Sequence, residues 1–100
     1  MDFINIMTTT TPTLYGSIGK NVTKLVHILT EDVKAKHVDG HVHVDGYLSS
    51  GLGVRISIAN LEELHSDDIG KWMSIARQTG SVSQNYTADL NTGTVTFDVE

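Results

Sequence analysis

Hydrophobic and polar residues alternate most cleanly in two short stretches of this chain. Val54-Arg55-Ile56-Ser57-Ile58 sets Val54, Ile56 and Ile58 on one side. Thr94-Val95-Thr96-Phe97-Asp98-Val99 sets Val95, Phe97 and Val99 against Thr94, Thr96 and Asp98. A period of two belongs to a half-buried strand, because successive side chains point to opposite faces. A third stretch follows the helical period instead. Ile69, Trp72, Met73 and Ala76 recur at i, i+3, i+4 and i+7, which is an apolar stripe. Ser66 stands where an N-cap belongs, Asp67 and Asp68 lie in the first turn, and Gly80 suits the C′ position. This pattern predicts a helix over about 67–79, with Trp72 as its largest anchor.

Val22–Leu29 fits both periods. Ile18, Val22, Leu25, Val26 and Leu29 have helical spacing, yet Thr23, Val26, Ile28 and Thr30 are β-branched. Glu31 and Asp32 would oppose the dipole of a helix that ended there. The reading therefore favours a strand, with a helix as the alternative.

The segment from His37 to Gly46 holds three of the five histidines and two Asp-Gly dipeptides. As one strand, it would line up every odd residue from His37 to Asp45 on one face, as in a metal site. As a hairpin turning at Asp39-Gly40, it would pair Lys34 with Asp45, Ala35 with Val44 and His37 with Val42. Val33, Ala35, His37, Val42 and Val44 would then share one face, and Lys34, Lys36, Val38, His41, His43 and Asp45 the other. The hairpin divides apolar from polar residues better, so it is the preferred reading. Strands are also expected from Leu14 onward and over Val82–Leu90, with a turn at Asn91-Thr92-Gly93 before the last strand. The expected architecture is α+β: an antiparallel meander of about five to seven strands with one principal α-helix packed on one face. Residues 1–13, with their run of threonines and the single proline, form a flexible lead-in to one domain over 14–100.

Composition narrows the function more than it names one. One hundred residues suit a single modest core. The absence of cysteine excludes disulfides, thiolate nucleophiles and cysteine zinc sites. The net charge of −5 is carried by residues 59–100, where seven acids face only Lys71 and Arg77. That balance argues against direct nucleic-acid binding, which needs clustered Lys and Arg. No run of residues is apolar enough for a membrane helix, and the first seven residues lack the basic start of a secretory leader. A cytoplasmic protein is the expectation.

The candidate chemistry is thin. Gly16-Ser17-Ile18-Gly19-Lys20-Asn21 has the wrong spacing for a phosphate loop, and a turn at Gly19-Lys20-Asn21 accounts for it. His65-Ser66-Asp67 is contiguous, whereas catalytic triads assemble from separate parts of a fold. His41, His43 and Asp45 are weak candidates for metal ligands, opposed by Lys34 and Lys36 on the same face of the hairpin. No cofactor is expected. The acidic run Glu62, Glu63, Asp67 and Asp68 offers a contact for a basic protein surface.

The expected function is a small non-enzymatic protein-binding module, with homodimerisation through an exposed strand edge as one option. In size, acidity and lack of cysteine the chain resembles the accessory and inhibitor proteins of phages and other mobile elements. That resemblance is one of profile and not of motif. The alternative is a self-assembling structural subunit, homo-oligomeric or of virion type; a histidine-based metal or small-ligand binder ranks below both.

Overall fold

The computed structural model describes residues 16–49, 51, 53–82 and 85–100. The expected lead-in over 1–13 and the start of a strand at Leu14 lie outside them. The order of elements is α1 (Gly16–Lys36), β1 (His41–Tyr47), β2 (Val54–Ala59), α2 (Ser66–Arg77), β3 (Thr87–Asp89) and β4 (Thr94–Val99). The four strands form one antiparallel sheet in the order β1-β2-β4-β3. The protein is α+β as expected, but with four strands and two helices among the described residues.

The first correction concerns Val22–Leu29, which lies inside the 21-residue helix α1. Val22, Leu25, Leu29 and Val33 are buried, and His37 continues the same stripe just past the helix end. The helix does not end near Thr30 but runs on to Lys36. In fact Glu31 and Asp32 are interior, and the last turn carries Lys34 and Lys36, which suit a negative C-terminal dipole. The β-branched residues are tolerated because tertiary burial outweighs their small propensity penalty. The expected turn at Gly19-Lys20-Asn21 falls within the same helix.

The second correction follows from the first. Lys34, Ala35 and Lys36 are helical, so the hairpin about Asp39-Gly40 does not form. Those two residues instead turn the chain from α1 into β1. The His37 amide donates to the Val33 carbonyl at 2.8 Å, and the Gly40 amide donates to the His37 carbonyl at 2.8 Å. A Cβ at Gly40 would run into the Val33 side chain and the His37 carbonyl, so glycine is required by close approach. The true partner of β1 is β2, with His41 opposite Ala59, Val42 opposite Ile58 and His43 opposite Ser57. The register slips between Val44 and Gly46, which makes Asp45 the extra residue of a bulge.

The remaining expectations fare better. Val54, Ile56 and Ile58 of β2 and Val95, Phe97 and Val99 of β4 are all buried. Helix α2 buries Ile69, Trp72, Met73 and Ala76, the expected stripe. Its N-cap is His65 and makes no side-chain cap bond, so Ser66 opens the helix without capping it. Gly80 keeps an ordinary φ and is not a left-handed C′ residue. A Cβ there would approach the Glu100 carbonyl to 2.6 Å. Among the described residues, the strand expected over Val82–Leu90 reduces to Thr87–Asp89 plus a single bridge from Val82 to Val99, with residues 83 and 84 of that expectation lying outside them. Every residue of β3 is exposed, which explains its shortness.

All core residues belong to one cluster, in which α1 and α2 meet the same face of the sheet. A polar seam joins the two helices at their margin. Trp72 is buried and donates its Nε1–H to Asp32 Oδ2 at 3.0 Å. Lys71 Nζ lies 2.9 Å from Asp32 Oδ1. Lys36 Nζ reaches back to Asp68 Oδ1 at 2.7 Å. His37 sets its ring edge-on to Trp72, with centroids 6.1 Å apart.

Candidate protein-binding surface

The second face of the sheet is covered by neither helix. Alternation along β2 and β4 turns Arg55, Ser57 and Ala59, and Thr94, Thr96 and Asp98, away from the core. Directly opposed residues share a face. Arg55 opposes Asp98 and Ser57 opposes Thr96; His43 opposes Ser57; Thr87 opposes Thr96. A polar row, His43-Ser57-Thr96-Thr87, therefore crosses all four strands.

Arg55 and Asp98 form the centre of this face. Arg55 Nε donates to Asp98 Oδ1 at 2.9 Å, with a longer contact of 3.4 Å from Nη2 to Oδ2. The hydrogen bond to Asp98 holds the guanidinium charge firmly, its pKa raised further by Asp98 and, more weakly, by Asp45. Two open grooves share Asp45, Arg55 and Asp98. One, of ≈ 490 Å³, is also lined by Tyr47 and Glu100. The other, of ≈ 430 Å³, is also lined by Asn85 and Tyr86. Both tyrosines are exposed. The centre thus combines one arginine, several carboxylates and an aromatic ring to either side.

The sequence-level candidates are distributed unevenly. His41 and His43 do sit on one face of one strand, with stacked rings 5.2 Å apart. His43 Nε2 is 3.9 Å from Asp45 Oδ1. Lys34 and Lys36, expected beside them, belong to α1 on the other side of the sheet. Even so, among the described residues no group of three or more His, Asp or Glu side chains is arranged to hold a metal ion.

The four acids proposed for partner contact do not act as one patch. Asp68 is buried and taken up by Lys36, whose hydrogen bond and charge pull its pKa below the ordinary carboxylate value against the opposing effect of burial. Asp67 is exposed in the first turn of α2, and Glu62 and Glu63 are exposed in the connector before it. Glu63 lies 3.6 Å from His65 Nε2.

Arg55 and Asp98 were not singled out from the sequence. Their alternating positions were visible there, but the register that brings residue 55 to residue 98 was not. Among the described residues no helix is long and apolar enough to cross a membrane. No protein-family model, no curated protein and no solved structure matches this chain. The functional reading therefore rests on surface geometry alone.

Proposed function

We propose that this protein is a non-enzymatic protein-binding module that presents to a partner the sheet face that neither α1 nor α2 covers. The observation that carries the reading is the pair of grooves sharing Asp45, Arg55 and Asp98, each with an exposed tyrosine. Tyrosine and arginine are the residue types most often found at the energetic centres of protein interfaces. The grooves are shallow and open, which suits a protein surface better than a small enclosed substrate. The carboxylates outnumber the single arginine, so a partner with basic side chains is favoured. An accessory or inhibitor role, as in mobile-element proteins of similar size and acidity, is the broader form of this proposal.

A parallel capture experiment from the native host tests the surface. Three baits are compared: wild type, Arg55→Glu combined with Tyr86→Ala, and Glu62→Lys combined with Glu63→Lys. Retention of a defined partner by the wild type and the connector variant, with loss by the sheet-face variant, is the expected result. The same partner on the sheet-face variant, with loss on the connector variant, would move the site to the acidic connector.

A further inference from the structure

We propose that a second copy of this chain pairs antiparallel with the outer edge of β1, centred on His43, joining two four-stranded sheets into one of eight strands. It uses the backbone edge of β1 rather than the sheet face, and shares only the border residues His43 and Asp45 with the surface above. Strand β1 is an edge strand, hydrogen-bonded on one side only among the described residues. Such an edge presents free backbone donors and acceptors and is a template for another strand.

The choice of partner comes from the order of residues along that edge. His41-Val42-His43-Val44-Asp45 is close to self-complementary when read against itself. Centred on His43, it sets His41 opposite Asp45 of the second copy, twice over. His43 meets its own equivalent, and Val42 meets Val44. Opposite-charge and hydrogen-bonding pairs directly across two strands are favourable, and like charges are not. His41 can donate to a carboxylate in its neutral form as well as when protonated. Val44 is 37% exposed despite pointing to the apolar face, and the second copy would cover it.

The bulge limits the register. Centring the pair on Val44 would carry the ladder through the Asp45–Gly46 irregularity and set Val42 opposite a glycine. Centring it on Val42 would set His41 opposite His43 and leave both Asp45 side chains unpaired. Only the His43-centred register ends at the bulge residue Asp45 without passing through it, and pairs both carboxylates.

The chain has no cysteine, so introduced thiols give an unambiguous test. His43→Cys and Val44→Cys are compared under mild oxidation at micromolar concentration, with folding checked by circular dichroism. Directly opposed strand residues lie within disulfide range, whereas residues offset by two do not. The proposal expects a covalent dimer from His43→Cys and none from Val44→Cys. A dimer from Val44→Cys alone, or from both variants equally, would overturn the register. Light scattering on the wild type supplies a second readout, expected at twice the 10.9 kDa of one chain. His41→Asp should weaken association about tenfold by creating two like-charge pairs. His41→Asp combined with Asp45→Lys should restore it. A monomeric wild type with no cross-link from His43→Cys would overturn the proposal.

Discussion

Arg55 and Ile56 are neighbours in sequence and belong to opposite sides of the molecule. Ile56 is fully buried beneath the helices, while Arg55 stands on the open face with Asp98. One side of the sheet is apolar, dry and covered by α1 and α2. The other is a lattice of threonines, histidines and carboxylates around one guanidinium. Apolar burial and polar side-chain chemistry are thereby separated across the thickness of a single strand. A sheet with one helix-covered face can stay stable while its other face changes freely, because surface substitutions away from special features have small effects.

Substitutions at these neighbours give the strongest contrast. Ile56→Ala removes a side chain with no exposure and leaves a cavity in the core, and should lower stability by about 2–5 kcal/mol in urea denaturation. A loss below about 1 kcal/mol would mean that the two sides are less distinct than their burial implies. A smaller effect belongs to the helix seam. Lys36 lowers the pKa of Asp68 below its ordinary value of 3.8. A carboxyl with a lowered native pKa contributes stability above its unfolded pKa and loses it as pH falls through the native value. Asp68→Asn should therefore be less stable than wild type at neutral pH, with the difference closing below about pH 4. A constant difference from neutral to acid pH would assign the effect to packing instead. Arg55→Ala should barely move the thermal midpoint, because exposed ion pairs add little. On the proposed function it should nevertheless reduce capture of a partner, the reverse of the pattern expected at Ile56.

Legibility in the sequence divided along similar lines. Strands β2 and β4 and helix α2 declare themselves because each buries one face and keeps one periodicity from end to end. Helix α1 was harder. Its stripe runs from Val22 through Leu25 and Leu29 to Val33 and on to His37, but a window closed at Thr30 shows only half of it. Within that window the β-branched residues and Glu31-Asp32 weigh towards a strand. Extended by one turn, the same segment gains a buried valine and two lysines suited to a helix C-terminus. The false hairpin about Asp39-Gly40 drew on the same residues, since a short helical stretch can imitate cross-strand agreement by chance.

On the candidate surface, the pairing of His41 with His43 was legible because it is local. Arg55–Asp98 was not, because residues 43 positions apart meet only through the β2–β4 register. The buried role of Asp68 was hidden for a related reason. An acid in the first turn of a helix is sufficiently explained by the dipole, and nothing local reveals the lysine that reaches it from α1.

The brevity of β3 has a consequence for stoichiometry. Its three residues at one border of the sheet offer too little backbone to seat a further strand, whereas β1 at the other border is seven residues long. A sheet that can be extended from one border alone admits a single neighbour. If two copies pair through β1 as proposed, that border is consumed in both, and growth would stop at two chains and not continue into an open-ended fibre.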